Sequence, residues 1–129
     1  MAARFPEELV CDMAETYHVL NWRALGLPLA ATLAAGGVQP TTGKQVVPVQ
    51  VARQVLSVMM TCGMYDGSGD FAIRVGVPAK SGVGGGIMAV VPGRMGVGLF
   101  GPALDEKGNS LAGIRALELL SARLDLSVF

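Results

Sequence analysis

The stretch Val75–Gly101, "VGVPAKSGVGGGIMAVVPGRMGVGLFG", decides how the chain folds. Within it, "GIMAVVP" and "MGVGLFG" are short apolar runs separated by Pro92, Gly93 and Arg94. Two such runs around a Pro-Gly turn read as a hairpin of two well-buried strands. A turn of only a few residues makes them antiparallel neighbours. Upstream, Gly82, Gly84, Gly85 and Gly86 crowd beside Lys80 and Ser81, with Tyr65 not far before. Glycine loses more conformational freedom on ordering than any other residue, so a dense run implies close backbone approach or unusual torsion angles. Here it lies beside three side chains that can hold or move a proton.

Working outward, helices flank the hairpin. Phe5 to about Tyr17 reads as a helix with Glu7 and Glu8 in its first turn. A second runs from Leu27 to Ala35, rich in alanine and leucine, and Gly36-Gly37 stops it. "VQPTTGKQ" is a polar turn. Pro48 opens a third helix, "PVQVARQVLSVMMTCG", in which Val51, Val55, Val58, Met59 and Cys62 fall at spacings of three and four and predict a buried stripe. Gly63 ends it, leaving Met64-Tyr65-Asp66 just beyond the helix terminus. Phe71 to Val75 fits either a strand or one helical turn. Asn109 or Ser110 caps a closing helix that puts Leu111, Ile114, Leu117 and Leu120 on one face. The expected architecture is α+β: an antiparallel sheet containing Gly86–Val91 and Met95–Phe100, with the Asn109–Leu124 helix packed on it.

Composition bounds the functions. The 129 residues are 51% hydrophobic and 16% charged, enough for one domain with a core. Ten basic side chains balance ten acidic ones without a block of either sign, which excludes nucleic acid and anionic membrane as partners. Cys11, Cys62 and the single histidine, His18, lack the number and spacing of a metal site or a disulfide framework, so no metal and no cofactor is expected. The opening "MAARFPEELVCD" carries acids where a signal peptide needs an apolar core. The longest apolar run, Ala24–Val38, holds Pro28 and ends in Gly36-Gly37, so it should not span a membrane. A cytoplasmic protein is expected. Met59, Met60 and Met88 read as core and Cys62 as a buried thiol; Trp22 and His18 have no assigned role.

Phosphate binding fails on spacing. A Walker loop needs glycine immediately before Lys80, where Ala79 stands, and "GVQPTTGK" spaces its glycines one residue too far apart. Lys80-Ser81-Gly82 followed by an apolar strand instead resembles the Lys-[Ser/Thr]-Gly element of serine enzymes related to penicillin-binding proteins. The surroundings narrow this. "ATLAAGGVQPTTGKQVV", "MMTCGMYDGSGDFAIRVGVPAKSGVGGGIMAVVPG" and "LDEKGNSLAGIRALELL" together resemble the serine-dependent glutaminases, over about Ala30 to Leu120. The phrases C-G-M-Y-D, V-G-x-P-A-K-S-G-V-x-G-G and G-N-S-x-x-G carry the likeness. By it, residues 30–129 look like the C-terminal portion of a catalytic domain of β-lactamase-like fold, while 1–29 match poorly.

The resemblance implies hydrolysis of L-glutamine to L-glutamate and ammonia through an acyl-serine intermediate. It makes Tyr65 a substrate-contacting proton relay and Val83 the donor of a backbone N–H to the oxyanion hole. Lys80, Ser81 and Gly82 support the site. Such donors contribute about 3 kcal/mol each to transition-state stabilisation. Tyr65 and Val83 should then face one cleft, within roughly 10 Å of each other. Asp66 reads as satisfying turn amides. Without the resemblance, Tyr65 reads as a packing residue and Lys80 as a solvated charge.

The departures are equally specific. Among these residues no serine has lysine three positions on, and the family's S-x-x-K nucleophile belongs well upstream. At the place of a further substrate-contacting tyrosine stands Met13, with Tyr17 the nearest phenol, and neither takes a role. The isolated chain is therefore expected to be inactive on glutamine, and oligomeric, partly molten or poorly soluble unless a complementing N-terminal half is present. Two other readings compete: a non-catalytic interaction module derived from a glutaminase, and another serine acyl-transfer enzyme, against which M-Y-D and G-N-S argue.

Overall fold

The computed structural model describes residues 26–129; the expected helix from Phe5 to Tyr17 lies outside them. Helix α1 (Leu27–Ala34) starts with Pro28 in its first turn, where a missing N–H is harmless. A short antiparallel pair, β1 (Val38–Gln39) and β2 (Lys44–Gln45), carries the polar turn. Helix α2 (Val49–Cys62) follows, then a 3-10 turn (Tyr65–Gly67) and α3 (Ser68–Arg74). Phe71–Val75 therefore resolves as helical. Strands β3 (Ala79–Ser81), β4 (Gly86–Val91) and β5 (Met95–Phe100) form an antiparallel sheet in that order, and α4 (Leu111–Leu124) closes the chain.

The sheet explains the glycine-rich hairpin. β4 is central, paired to β3 through Ala79↔Ala89 and to β5 through Ala89↔Val97. All six of its residues are buried. Side chains alternate along a strand, so Ile87, Ala89 and Val91 join Phe71, Val75 and Leu117 in one core. Met88 and Val90 face the other way and join Ala30, Leu33, Ala52 and Met59. A strand covered on both faces reads as a continuous apolar run, which is what "GIMAVV" is. Only β4 is well buried, however. β5, expected to match it, lies at the sheet edge with residues half-buried or exposed.

The closing helix is held by its cap. Ser110 Oγ accepts from the Gly113 N–H at 3.1 Å and donates to the Gly101 carbonyl at 2.7 Å. Leu117 is fully buried, and Ile114 and Leu120 pack half-buried beside it. Leu111 departs from the expected stripe and is exposed. It sits in the first turn, past the edge of the core.

Of the buried stripe expected on α2, only Met59 packs. Val51, Val55 and Val58 are exposed, Val58 by 61%, and Cys62 is an exposed free thiol rather than a buried one. Ala52 is buried with Met59, and Leu56 packs against them, so the packed stripe runs through Ala52, Leu56 and Met59. These two stripes lie about a quarter turn apart. The apolar arc of α2 is wider than the described residues cover, and they bury only one side of it. Met60, expected in the core, is half-buried for the same reason.

Candidate active-site corner

The site is built where α2 ends against β3. Gly63 allows this approach: a Cβ there would lie 1.7 Å from the Ala79 carbonyl oxygen. The contact is cemented by the Ser81 N–H, which donates to the Gly63 carbonyl at 2.9 Å. Two residues on, Tyr65 adopts φ 51°, a left-handed conformation rarely taken by a side chain of its size. Such strain, of order 1 kcal/mol or more, persists only where surrounding contacts over-determine it.

Those contacts are present. Ser68 Oγ accepts from the Met64 N–H at 3.0 Å and donates to the Tyr65 carbonyl at 2.7 Å. Ser68 thus does the work expected of Asp66, which is exposed and receives no hydrogen bond from a turn amide among the described residues. The Met64 carbonyl accepts from the Gly67 N–H at 3.0 Å and from Asn109 Nδ2 at 3.1 Å.

Held in this way, the 38% exposed Tyr65 lays its ring alongside β3. Its hydroxyl donates to the Ser81 carbonyl at 3.4 Å. Lys80 Nζ donates to the same oxygen and sits 4.7 Å from the centre of the Tyr65 ring. A cation over a phenol face gains from the ring quadrupole. Burial holds the Lys80 ammonium below its usual pKa, because taking a charge partly out of water favours the neutral form. Ser81 brings its carbonyl to this cluster. Its side chain, on the same strand face as Ala79, is buried and its Oγ has no hydrogen-bond partner among the described residues.

Beyond Ser81 the chain turns over Gly82 to Gly85. The Gly85 N–H donates to the Gly82 carbonyl at 2.9 Å, and the Gly82 N–H to the Gly86 carbonyl at 2.9 Å. Gly85 is the glycine this turn demands: its φ is 92° and a Cβ would sit 2.4 Å from the Gly101 carbonyl oxygen. A Cβ at Gly82 would make only an ordinary contact, 3.9 Å from the Gly86 carbonyl oxygen. Val83 stands at the tip, 70% exposed, and among the described residues its N–H has no backbone acceptor. The arrangement presents a free backbone donor two residues past the carbonyl that the tyrosine and lysine share. Among the described residues no group of His, Cys, Asp or Glu is placed to hold a metal ion.

An α+β chain with a lysine-serine-glycine strand beside a strained tyrosine has clear relatives. The chain belongs to the glutaminase family, whose model matches residues 21–129. A glutaminase of Clostridium tetani is 61% identical over 101 residues, covering 78% of this chain and 33% of that protein. One from Clostridium botulinum type A is 60% identical over the same shares. This chain thus spans about a third of the length of these curated relatives. Among solved structures, the covalent complex of Bacillus subtilis glutaminase YbgJ with 5-oxo-L-norleucine, formed by reaction with 6-diazo-5-oxo-L-norleucine, superposes with a TM-score of 0.76. It is 47% identical, over 78% of this chain and 37% of that one. A Bacillus glutaminase crystallised in concentrated NaCl gives 0.74 at 48% identity, over 76% and 35%.

Sequence reasoning reached Tyr65, Lys80, Ser81, Gly82 and Val83, and the structure brings them to one strand end. It passed over Ser68, Gly63 and the inward side chain of Asn109. The only signal for Asn109 was the G-N-S phrase, read there as a helix cap.

Proposed function

We propose that this chain supplies the tyrosine and oxyanion side of a serine-dependent glutaminase site, acting on L-glutamine, with the nucleophile furnished by an S-x-x-K segment that these 129 residues do not contain. The observation that carries the reading is the shared Ser81 carbonyl, which gathers the Tyr65 hydroxyl and Lys80 Nζ at the base of the turn bearing the Val83 N–H, unpaired among the described residues. Attack of a serine oxygen on the glutamine side-chain amide converts its carbonyl into a tetrahedral oxyanion. The Val83 N–H is the donor aimed at that charge. Tyr65 passes the serine proton to the leaving nitrogen, the C–N bond breaks and ammonia departs. Water then attacks the acyl-serine to release glutamate and restore the hydroxyl.

The Bacillus subtilis relative's adduct, 5-oxo-L-norleucine, is a methyl ketone where glutamine has its carboxamide. This chain, completed, would be labelled in the same way. The exposed valine face of α2 and the open edge of β5 are where the complementing portion or a second copy would pack. An exposed free thiol at Cys62 favours a reducing compartment, the cytoplasm.

The test is ammonia release from glutamine by the purified chain, alone and co-expressed with the S-x-x-K-bearing portion of the Clostridium tetani relative. We expect background alone, activity and labelling by 6-diazo-5-oxo-L-norleucine in the pair, and a loss of about a hundredfold with Tyr65→Phe. Stable pairing without activity would instead favour the interaction-module reading.

A further inference from the structure

The G-N-S phrase, Gly108 to Ser110, has no role in the chemistry above, yet Asn109 is among the most deeply buried polar residues, 1% exposed. Its side chain spans a long sequence distance to reach the Met64 carbonyl, 3.1 Å from Nδ2. A carbonyl only accepts, so the amide nitrogen must face it. The other end of the amide, Oδ1, is buried without a hydrogen-bond partner among the described residues. An unmatched buried acceptor is destabilising, and it persists here because the Nδ2 contact orients the group.

Asn109 is itself rigidly mounted. Its N–H donates to Asp105 Oδ1 at 2.8 Å, its carbonyl accepts from the Asp105 N–H at 2.8 Å, and Asp105 Oδ1 also accepts from the Lys107 N–H at 2.9 Å. Ser110 then anchors the loop to α4 and Gly101. The neighbouring Gly108 faces the phenol: a Cβ there would lie 3.8 Å from Tyr65 Cε2. A loop fixed at both ends thus touches the two sides of one corner, the carbonyl before Tyr65 and the ring of Tyr65.

We propose that Asn109 is a positioning residue for Tyr65. By holding the Met64 carbonyl it fixes the peptide plane that enters the left-handed Tyr65, and so aims the hydroxyl at the Ser81 carbonyl beside Lys80. A backbone at φ 51° relaxes toward negative φ when its restraints go, and that rotation swings the phenol off β3. Ser68 restrains the same corner locally; Asn109 ties it to the far end of the chain. The proposal rests on the reading of Tyr65 as the reacting phenol, but its test reads position alone.

The chain has two tyrosines, so a Tyr17→Phe background labelled with 3-fluorotyrosine gives one 19F signal, from Tyr65. Asn109→Ala removes the contact, and Asn109→Leu removes it while keeping most of the volume should the alanine variant not fold. Ser121→Ala is the matched control. Ser121 Oγ donates to the Val75 carbonyl at 2.6 Å, a buried α4-to-backbone bond of similar sequence reach that does not touch the corner. We expect either Asn109 variant to move the Tyr65 signal most of the way to its position in the urea-unfolded chain, while far-UV circular dichroism stays folded. Ser121→Ala should lower the melting temperature and leave the signal in place. A Tyr65 signal unmoved in a folded Asn109 variant, or moved as far by Ser121→Ala, overturns the proposal. Failure of the completed enzyme to hydrolyse glutamine would strike the function proposed above and leave this result standing.

Discussion

Helices α2 and α4 are each 14 residues long and each carries an apolar arc against the same sheet, yet they end in opposite situations. On α4 a serine caps the first turn, Leu117 is fully buried, and Arg94 reaches across to donate to the Leu124 and Asp125 carbonyls at the last turn. Ile114 and Leu120 pack beside Leu117, and the leucines left exposed, Leu111, Leu119 and Leu124, lie outside that packed stripe. On α2 no side chain caps the start, and three valines point outward beside a stripe that is packed. The lesson is about what periodicity measures. It reports how much of a helix surface is meant to leave water, summed over all partners that helix has. Whether those partners lie in the same chain is a separate question.

The contrast can be broken most forcefully at Leu117. Leu117→Ala should destabilise the chain by about 3 kcal/mol, the loss typical of a leucine removed from a core that cannot close around the void. Urea unfolding followed by circular dichroism measures it. A loss below about 1 kcal/mol would mean that α4 is no better packed than α2.

A sharper cut is the double replacement Val55→Gln with Val58→Gln. Both sites are exposed, so stability should change by no more than about 0.5 kcal/mol, while self-association seen by sedimentation velocity should fall. Lost stability on the scale of Leu117→Ala would show that the valine face is internal core after all. Unchanged association would move the sticky surface elsewhere, with the β5 edge next in line.

The smallest effect belongs to the site and depends on pH. Burial lowers the Lys80 pKa in the folded chain below the ordinary 10.5. The unfolded chain therefore binds more protons between the two values, and stability gains from Lys80 as pH rises through that window. Below it the burial penalty on the ammonium is fully present. Comparing wild type with Lys80→Gln by urea unfolding from pH 7 to 10.5 should show the wild type gaining relative to the variant. A flat difference would place the ammonium in open water.

Much of this was legible beforehand. The hairpin of β4 and β5, the end of α2 at Gly63 and the cap at Ser110 each follow from local chemistry: an apolar run around Pro-Gly, a glycine stop, a serine before an amphipathic turn. The candidate residues Tyr65, Lys80 and Val83 came from motif resemblance. The meeting of Tyr65 and Lys80 at the Ser81 carbonyl came from the fold, because the contact joins a helix end to a strand separated from it by α3.

Leaving the β1–β2 pair and the state of Phe71–Val75 open, the sequence by itself determined α1, α2, α4 and the β4–β5 hairpin, where they stop, and which family's motifs they carry. These depend on neighbours within a turn or two, where side-chain spacing and backbone torsion act directly. Only the tertiary structure decided that Ala52 and Leu56 rather than the valines join Met59 in the core, that Cys62 stays exposed, and that Asn109 turns inward to the Met64 carbonyl. Those outcomes depend on which surfaces meet across long stretches of chain, and local periodicity, identical for a packed face and an open one, carries no record of the partner.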